Sequence, residues 1–261
     1  MRGLRFLFAL LVNAVPVYGV LVEGWSAATI LVLYWIENLL TAIATCLRIA
    51  IHRSWTQKRG HYHGGQLGVV VSSGTSARPI RTFLGEYATA ALIFTLAHGV
   101  FVVALPLILA SNHPGDPRWQ VSLSQLRLGI SAVAAFLGLA LVADLPSLPT
   151  WSFARIRAYA QARLGRVLIL HLTIIFGMFA IAFTESPYGF LYVLVGLKTL
   201  ADVGGALARE EPLPDKPPAW ASGIASRVGK APGKAKADFD TEWRREIEAS
   251  KRQAEEDEER V

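Results

Sequence analysis

The sequence predicts an all-α fold: a polytopic helical membrane bundle with six transmembrane helices and a charged cytoplasmic C-terminal tail. Three observations lead there. Hydrophobic residues make up 52% of the 261 positions and charged residues 18%, which is poorer in charge than the roughly 25% of soluble domains. Apolar runs of about 20 residues, the length that crosses a hydrocarbon core, recur along the chain. The basic residues gather in alternate connections between those runs, as the cytoplasmic loops of membrane proteins require.

The expected spans are Phe6 to Val22, Trp25 to Ile51, Leu84 to Ala110, Leu126 to Leu145, Gly165 to Phe183 and Pro187 to Leu207. The first carries Asn13, Pro16 and Gly19 and follows Arg2 and Arg5, a pattern shared with signal peptides. No small-x-small cleavage site follows it, so an uncleaved anchor is expected. Only Glu23 and Gly24 separate it from the second span, which reads as a tight helical hairpin.

Arg2 and Arg5 fall on one side with Arg48, Arg53, Lys58, Arg59, Arg78 and Arg81, and with Arg155, Arg157, Arg163 and Arg166. That side is assigned to the cytoplasm, so the expectation is a multi-pass protein of a cell membrane, the inner membrane in a bacterial cell, with both termini cytoplasmic. The opposite connections hold Glu23, then Asp116 and Arg118, then Glu185. Trp25, Tyr87, Trp119, Trp151 and Tyr188 lie near the boundaries, where an aromatic belt is expected. Asp144, ahead of Pro146 and Pro149, reads as the cytoplasmic end of the fourth span, a carboxylate in reach of head groups. Ala134 and Gly138 suggest close helix packing there.

Residues 1–208 thus form the membrane domain. Residues 209–239 read as a linker rich in Pro, Gly and Lys, and residues 240–261 as a charged tail, a partly frayed helix capped by Asp240 with Trp243 and Ile247 on one face. Arg227, Lys230, Lys234 and Lys236 could touch anionic lipid, although a solvated linker explains them as well. The net charge of +6 does not imply nucleic acid, because no binding motif accompanies the basic residues. The single cysteine, Cys46, precludes an intramolecular disulfide.

Polar groups inside spans are costly, a charge at the centre of the bilayer by about 2.5 to 3.5 kcal/mol on insertion scales, so they mark candidate sites. Asn13, Glu37, Asn38, His98 and Lys198 fall near mid-span, with His171 and Asp202 nearer the cytoplasm. All seven could line one cavity. Glu37, His98, His171, Lys198 and Asp202 are the catalytic candidates, and Glu37, His98 and His171 could hold a transition metal that activates water. The same residues could form a proton or ion relay, or interhelical polar glue. Lys198 and Asp202, four apart, could neutralise each other. His61 and His63, with His52 nearby, lack an acidic or cysteine partner in their loop, which argues against metal there. Gly64 to Gly74 lacks the phosphate-loop ending and reads as a flexible loop.

The run Asn13-x-x-Pro16-x-x-Gly19-Val20, then Gly24-Trp25-Ser26 and Tyr34-Trp35-x-Glu37-Asn38, resembles the opening signature of the prokaryotic membrane family catalogued as domain of unknown function 6498. His98-Gly99-x-Phe101, Leu170-His171-x-Thr173 and Leu197-Lys198-Thr199-x-x-Asp202 are similar to its later blocks. Ala90 and Ala91 depart from its pattern, where a His-Tyr pair is usual. The resemblance covers about the first 208 residues and implies a membrane domain without an assigned activity.

Overall fold

The computed structural model describes residues 2–67, 82–112, 114–117, 120–165 and 232–261, with isolated positions between 176 and 200. The fifth and sixth expected spans fall almost wholly outside the described residues. Those residues are helical, with no strand among them; one isolated antiparallel bridge pairs Lys58 with Arg260.

Helix α1, Arg2–Leu21, reaches α2, Ala27–Thr56, through the expected hairpin. Gly24 takes a left-handed φ of 61° in the turn, a conformation glycine adopts without steric cost. The turn closes on itself: the Trp25 amide donates to the Gly19 carbonyl at 2.8 Å. A Cβ on Gly19 would lie 2.3 Å from the Trp25 ring, so the close approach requires glycine. Ser26 caps α2 by accepting from the Thr29 amide at 3.0 Å. Its hydroxyl also donates to the Gln120 carbonyl at 2.6 Å.

Helix α2 is 30 residues long, about 45 Å at the helical rise, which exceeds the roughly 30 Å of a hydrocarbon core. Helix α3 runs over Phe83–Asn112 and α4 over Leu123–Asp144. A 3-10 turn, Leu145–Thr150, follows α4 where Pro146 and Pro149 end the regular hydrogen bonding. A further helix, α5, covers residues 153–165, and the C-terminal helix covers Pro232–Glu258. That last helix starts inside the stretch expected to be a linker, so Lys234 and Lys236 sit on it and Asp240 is an interior residue rather than its cap.

Among the described residues, three helices are long and apolar enough to cross a membrane: Ala27–Thr56, Phe83–Ile108 and Leu123–Thr150. Helix α2 packs against both α3 and α4, and α1 against α4. Helix α3 exposes Leu92, Leu96, Val100, Val103 and Leu107, a run of apolar side chains at helical spacing that suits contact with lipid.

The core divides into two apolar clusters. One gathers Trp25, Ile30, Leu33, Tyr34, Val102 and Val133 near the start of α2. The other gathers Ile49, Phe83, Tyr87, Leu148, Trp151, Phe153 and Ile156 near its end. Trp25, Tyr87 and Trp151 are therefore core residues, packed between helices rather than exposed as interfacial rings. Their rings are large enough that burying them between helices gains more than the interface offers.

Candidate functional site

Between the two apolar clusters, the inward face of α2 turns polar. Glu37, Thr41, Thr45, Arg48, His52 and Thr56 are all buried. Their spacing of three and four places them within about 100° of arc, on the face that carries Ile30, Leu33 and Tyr34 one or two turns earlier. From Glu37 to Thr56 this face extends about 28 Å along the helix axis.

At its inner end, α2 crosses α3 where the Trp35 indole N–H donates to the Thr95 carbonyl at 2.8 Å and its ring lies against Gly99. Glu37 and His98 lie on the two helices within about a turn of that crossing, and both are 2% exposed. The His98 Nδ1 meets the Phe94 carbonyl at 2.5 Å, which assigns the proton to Nδ1. Asn13 is buried on α1. Asn38 is half-buried, and its side-chain nitrogen, like the Thr41 hydroxyl, has no hydrogen-bond partner among the described residues. His171, Lys198 and Asp202 lie outside the described residues, so four of the seven expected residues are placed. Among the described residues no three His, Cys, Asp or Glu side chains are grouped so as to hold a metal ion.

One turn further along, the Thr45 hydroxyl donates to the Thr41 carbonyl at 2.8 Å. Arg48 then donates to Asp144 at 3.0 Å, with both side chains buried. Its guanidinium also donates to the Ala44 carbonyl at 3.2 Å and lies 5.5 Å from the centre of the Tyr159 ring. This overturns two expectations. Arg48 is an interior group rather than a loop charge, and Asp144 faces inward rather than toward head groups. Each buried charge needs the other, because neither has water to solvate it.

At the far end of α2, the Nδ1 of His52 lies 2.6 Å from the Nε2 of His61. The Nε2 of His52 faces the Trp151 carbonyl at 3.1 Å. A carbonyl can only accept, so His52 carries its proton on Nε2, its Nδ1 accepts, and His61 donates from Nε2. The Nδ1 of His61 is then an acceptor, buried with no hydrogen-bond partner among the described residues. Burial, followed by the charges of His52, Arg53 and Lys58, pushes His61 down from 6.5 to about 3. His63 points to solvent. No motif in the sequence links His52 with His61; the turn Arg59–Tyr62 brings them together.

A charged rim surrounds the pair. Lys58 donates to the Trp151 carbonyl at 3.0 Å and pairs with Glu258 near the end of the chain. Glu258 also accepts from the Phe153 and Ala154 amides, capping α5. Gln66 donates to Asp257 at 3.3 Å and accepts from Arg157 at 2.9 Å. Glu86 accepts from the Gln66 and Leu67 amides at 3.0 and 3.1 Å, fastening the loop to the first turn of α3.

Among the described residues these features define a helical protein with three helices long and apolar enough to cross a membrane and a buried polar face along one of them. The chain belongs to the family of unknown function 6498, whose model matches residues 1–219. Neither a curated protein nor a solved structure matches it.

Proposed function

We propose that the chain is a multi-pass carrier that moves protons, or an ion exchanged for protons, along the polar face of α2. In this reading six spans cross a cell membrane, both termini are cytoplasmic, and the His52 end faces the cytoplasm, consistent with the basic residues of the adjoining loops. One observation carries it: a helix otherwise apolar enough to cross a membrane buries six polar side chains on one face, from a carboxylate at mid-span to a histidine at its end. Apolar residues at these positions would pack more cheaply, so the face has a use beyond folding.

Interhelical glue is the competing account. It fits poorly with the Asn38 nitrogen and the Thr41 hydroxyl, which flank Glu37 and have no partner among the described residues. Polar groups in that condition suit a passage that holds water or an ion better than a packed seam. The Arg48–Asp144 pair is neutral as a unit and does not repel a passing cation. The reading of a metal-dependent intramembrane enzyme rests on Glu37, His98 and His171, and the described residues add nothing to it.

The test is proton uptake into vesicles containing the purified protein, driven by an imposed membrane potential and followed with an enclosed pH dye. Uptake above that of protein-free vesicles, reduced about tenfold or more by Glu37→Gln, is expected. Wild-type uptake no faster than that of empty vesicles would remove the proposal.

A further inference from the structure

The last five residues are seated against the far end of α2 by contacts of an unusual kind. The Arg59 amide donates to the Glu259 carbonyl at 2.7 Å and the Val261 amide to the Gln57 carbonyl at 2.9 Å, around the Lys58–Arg260 bridge. The Glu258 carboxylate fills the space between the Lys58 ammonium and the first amides of α5. Asp257 lies 3.8 Å from Arg157, and Glu259 lies 3.0 Å from Arg59.

Almost nothing apolar holds this segment. Val261, its only hydrophobic residue, is 72% exposed. The Arg59–Glu259 pair is 47% and 60% exposed, so water and salt screen it. Docking that buries charge and hydrogen bonds but little apolar surface is selective and readily reversed, because the hydrophobic term that makes association lasting is missing. The chemistry is also matched. Glu255, Glu256, Asp257, Glu258 and Glu259 form an unbroken acidic run, and Lys58, Arg59 and Arg157 face it with the two α5 amides.

We infer that this cradle is a recognition site for an acidic C-terminal peptide, with residues Asp257–Val261 of the chain itself as a releasable ligand. When seated, the peptide is linked to the His52–His61 pair through one carbonyl: the Trp151 carbonyl faces His52 and accepts from Lys58, and Glu258 holds Lys58. The inference stands on these contacts and does not depend on proton movement.

The experiment uses the full chain with Cys46→Ser, Arg59→Cys and Glu259→Cys. Facing residues of an antiparallel pair stand about 5.5 Å apart at Cα, within reach of a disulfide. Disulfide formation under mild oxidation is followed by the loss of both thiols to a maleimide. Rapid closure in low salt is expected, slowed about tenfold or more by 1 M sodium chloride and by excess synthetic peptide covering Glu255 to Val261. Failure to close in low salt would overturn the docking. Closure unaffected by both salt and peptide would overturn its release, making the segment a fixed part of the fold. Neither arm requires a further substitution in the cradle.

Discussion

His52 and His61 stand nine residues apart in the chain, and their ring nitrogens meet at 2.6 Å with both side chains fully buried. Two imidazoles at this distance share one proton as a neutral pair; a second proton would place a donor on the His61 Nδ1, where no acceptor lies among the described residues. The pair therefore stores a dependence on acid.

Folding should weaken as pH falls through the window between about 6.5 and 3. His61 binds a proton below 6.5 when unfolded but only near pH 3 when folded, so the unfolded state takes up the proton first and stability declines with acid. One such proton is worth about 2 kcal/mol by pH 5. Thermal unfolding in detergent at pH 7.5 and pH 5 measures the loss, and His61→Gln, which does not titrate, should flatten it. Equal pH dependence in the two proteins would contradict the assignment.

The buried Arg48–Asp144 pair should be more damaging to break than to remove. Asp144→Leu leaves the Arg48 charge unpaired and is expected to cost about 3 to 5 kcal/mol, whereas the double change Arg48→Met with Asp144→Leu should recover most of it. A double-mutant cycle on unfolding midpoints measures the difference. Additive losses would show that the two side chains do not act as a unit.

Gly60 lies under the Phe153 ring, where an added Cβ would come within 2.4 Å. Gly60→Ala should lose about 1 to 3 kcal/mol by overpacking. Combining it with Phe153→Leu should recover part of that, as read from thermal midpoints. The contact joins the turn bearing His61 to the start of α5.

Thr41 separates packing from conduction. Its hydroxyl is buried without a hydrogen-bond partner among the described residues, so Thr41→Val should leave stability unchanged or raise it by up to about 1 kcal/mol. Proton uptake into vesicles should nevertheless fall severalfold. A valine variant that conducts like wild type would take Thr41 out of the pathway.

Helices α2, α3 and α4 were legible as apolar runs, and so was the hairpin at Gly24, since whether a stretch forms a helix of membrane-crossing length depends on its own composition. Glu37 and His98 stood out for the same local reason, as polar groups in apolar runs, and the structure buries both. The pattern misjudged Arg48, which counts as a loop charge in a tally of basic residues and is an interior one once Asp144 is opposite. It also misjudged Trp151 and Tyr87, because an aromatic near a span boundary fits a membrane interface or a core equally well.

By itself, then, the sequence determined that this protein belongs to the family of unknown function 6498, that apolar helices build it, and that one of them carries acidic and basic groups where they are costly. Only the tertiary structure decided which groups meet. The His52–His61 pair, Arg48 against Asp144 ninety-six residues away, and Lys58 against Glu258 two hundred residues away all depend on helices packing. The physical reason is range. Hydropathy and helix propensity are properties of neighbouring residues, whereas a charge finds its partner only after distant segments have been brought together.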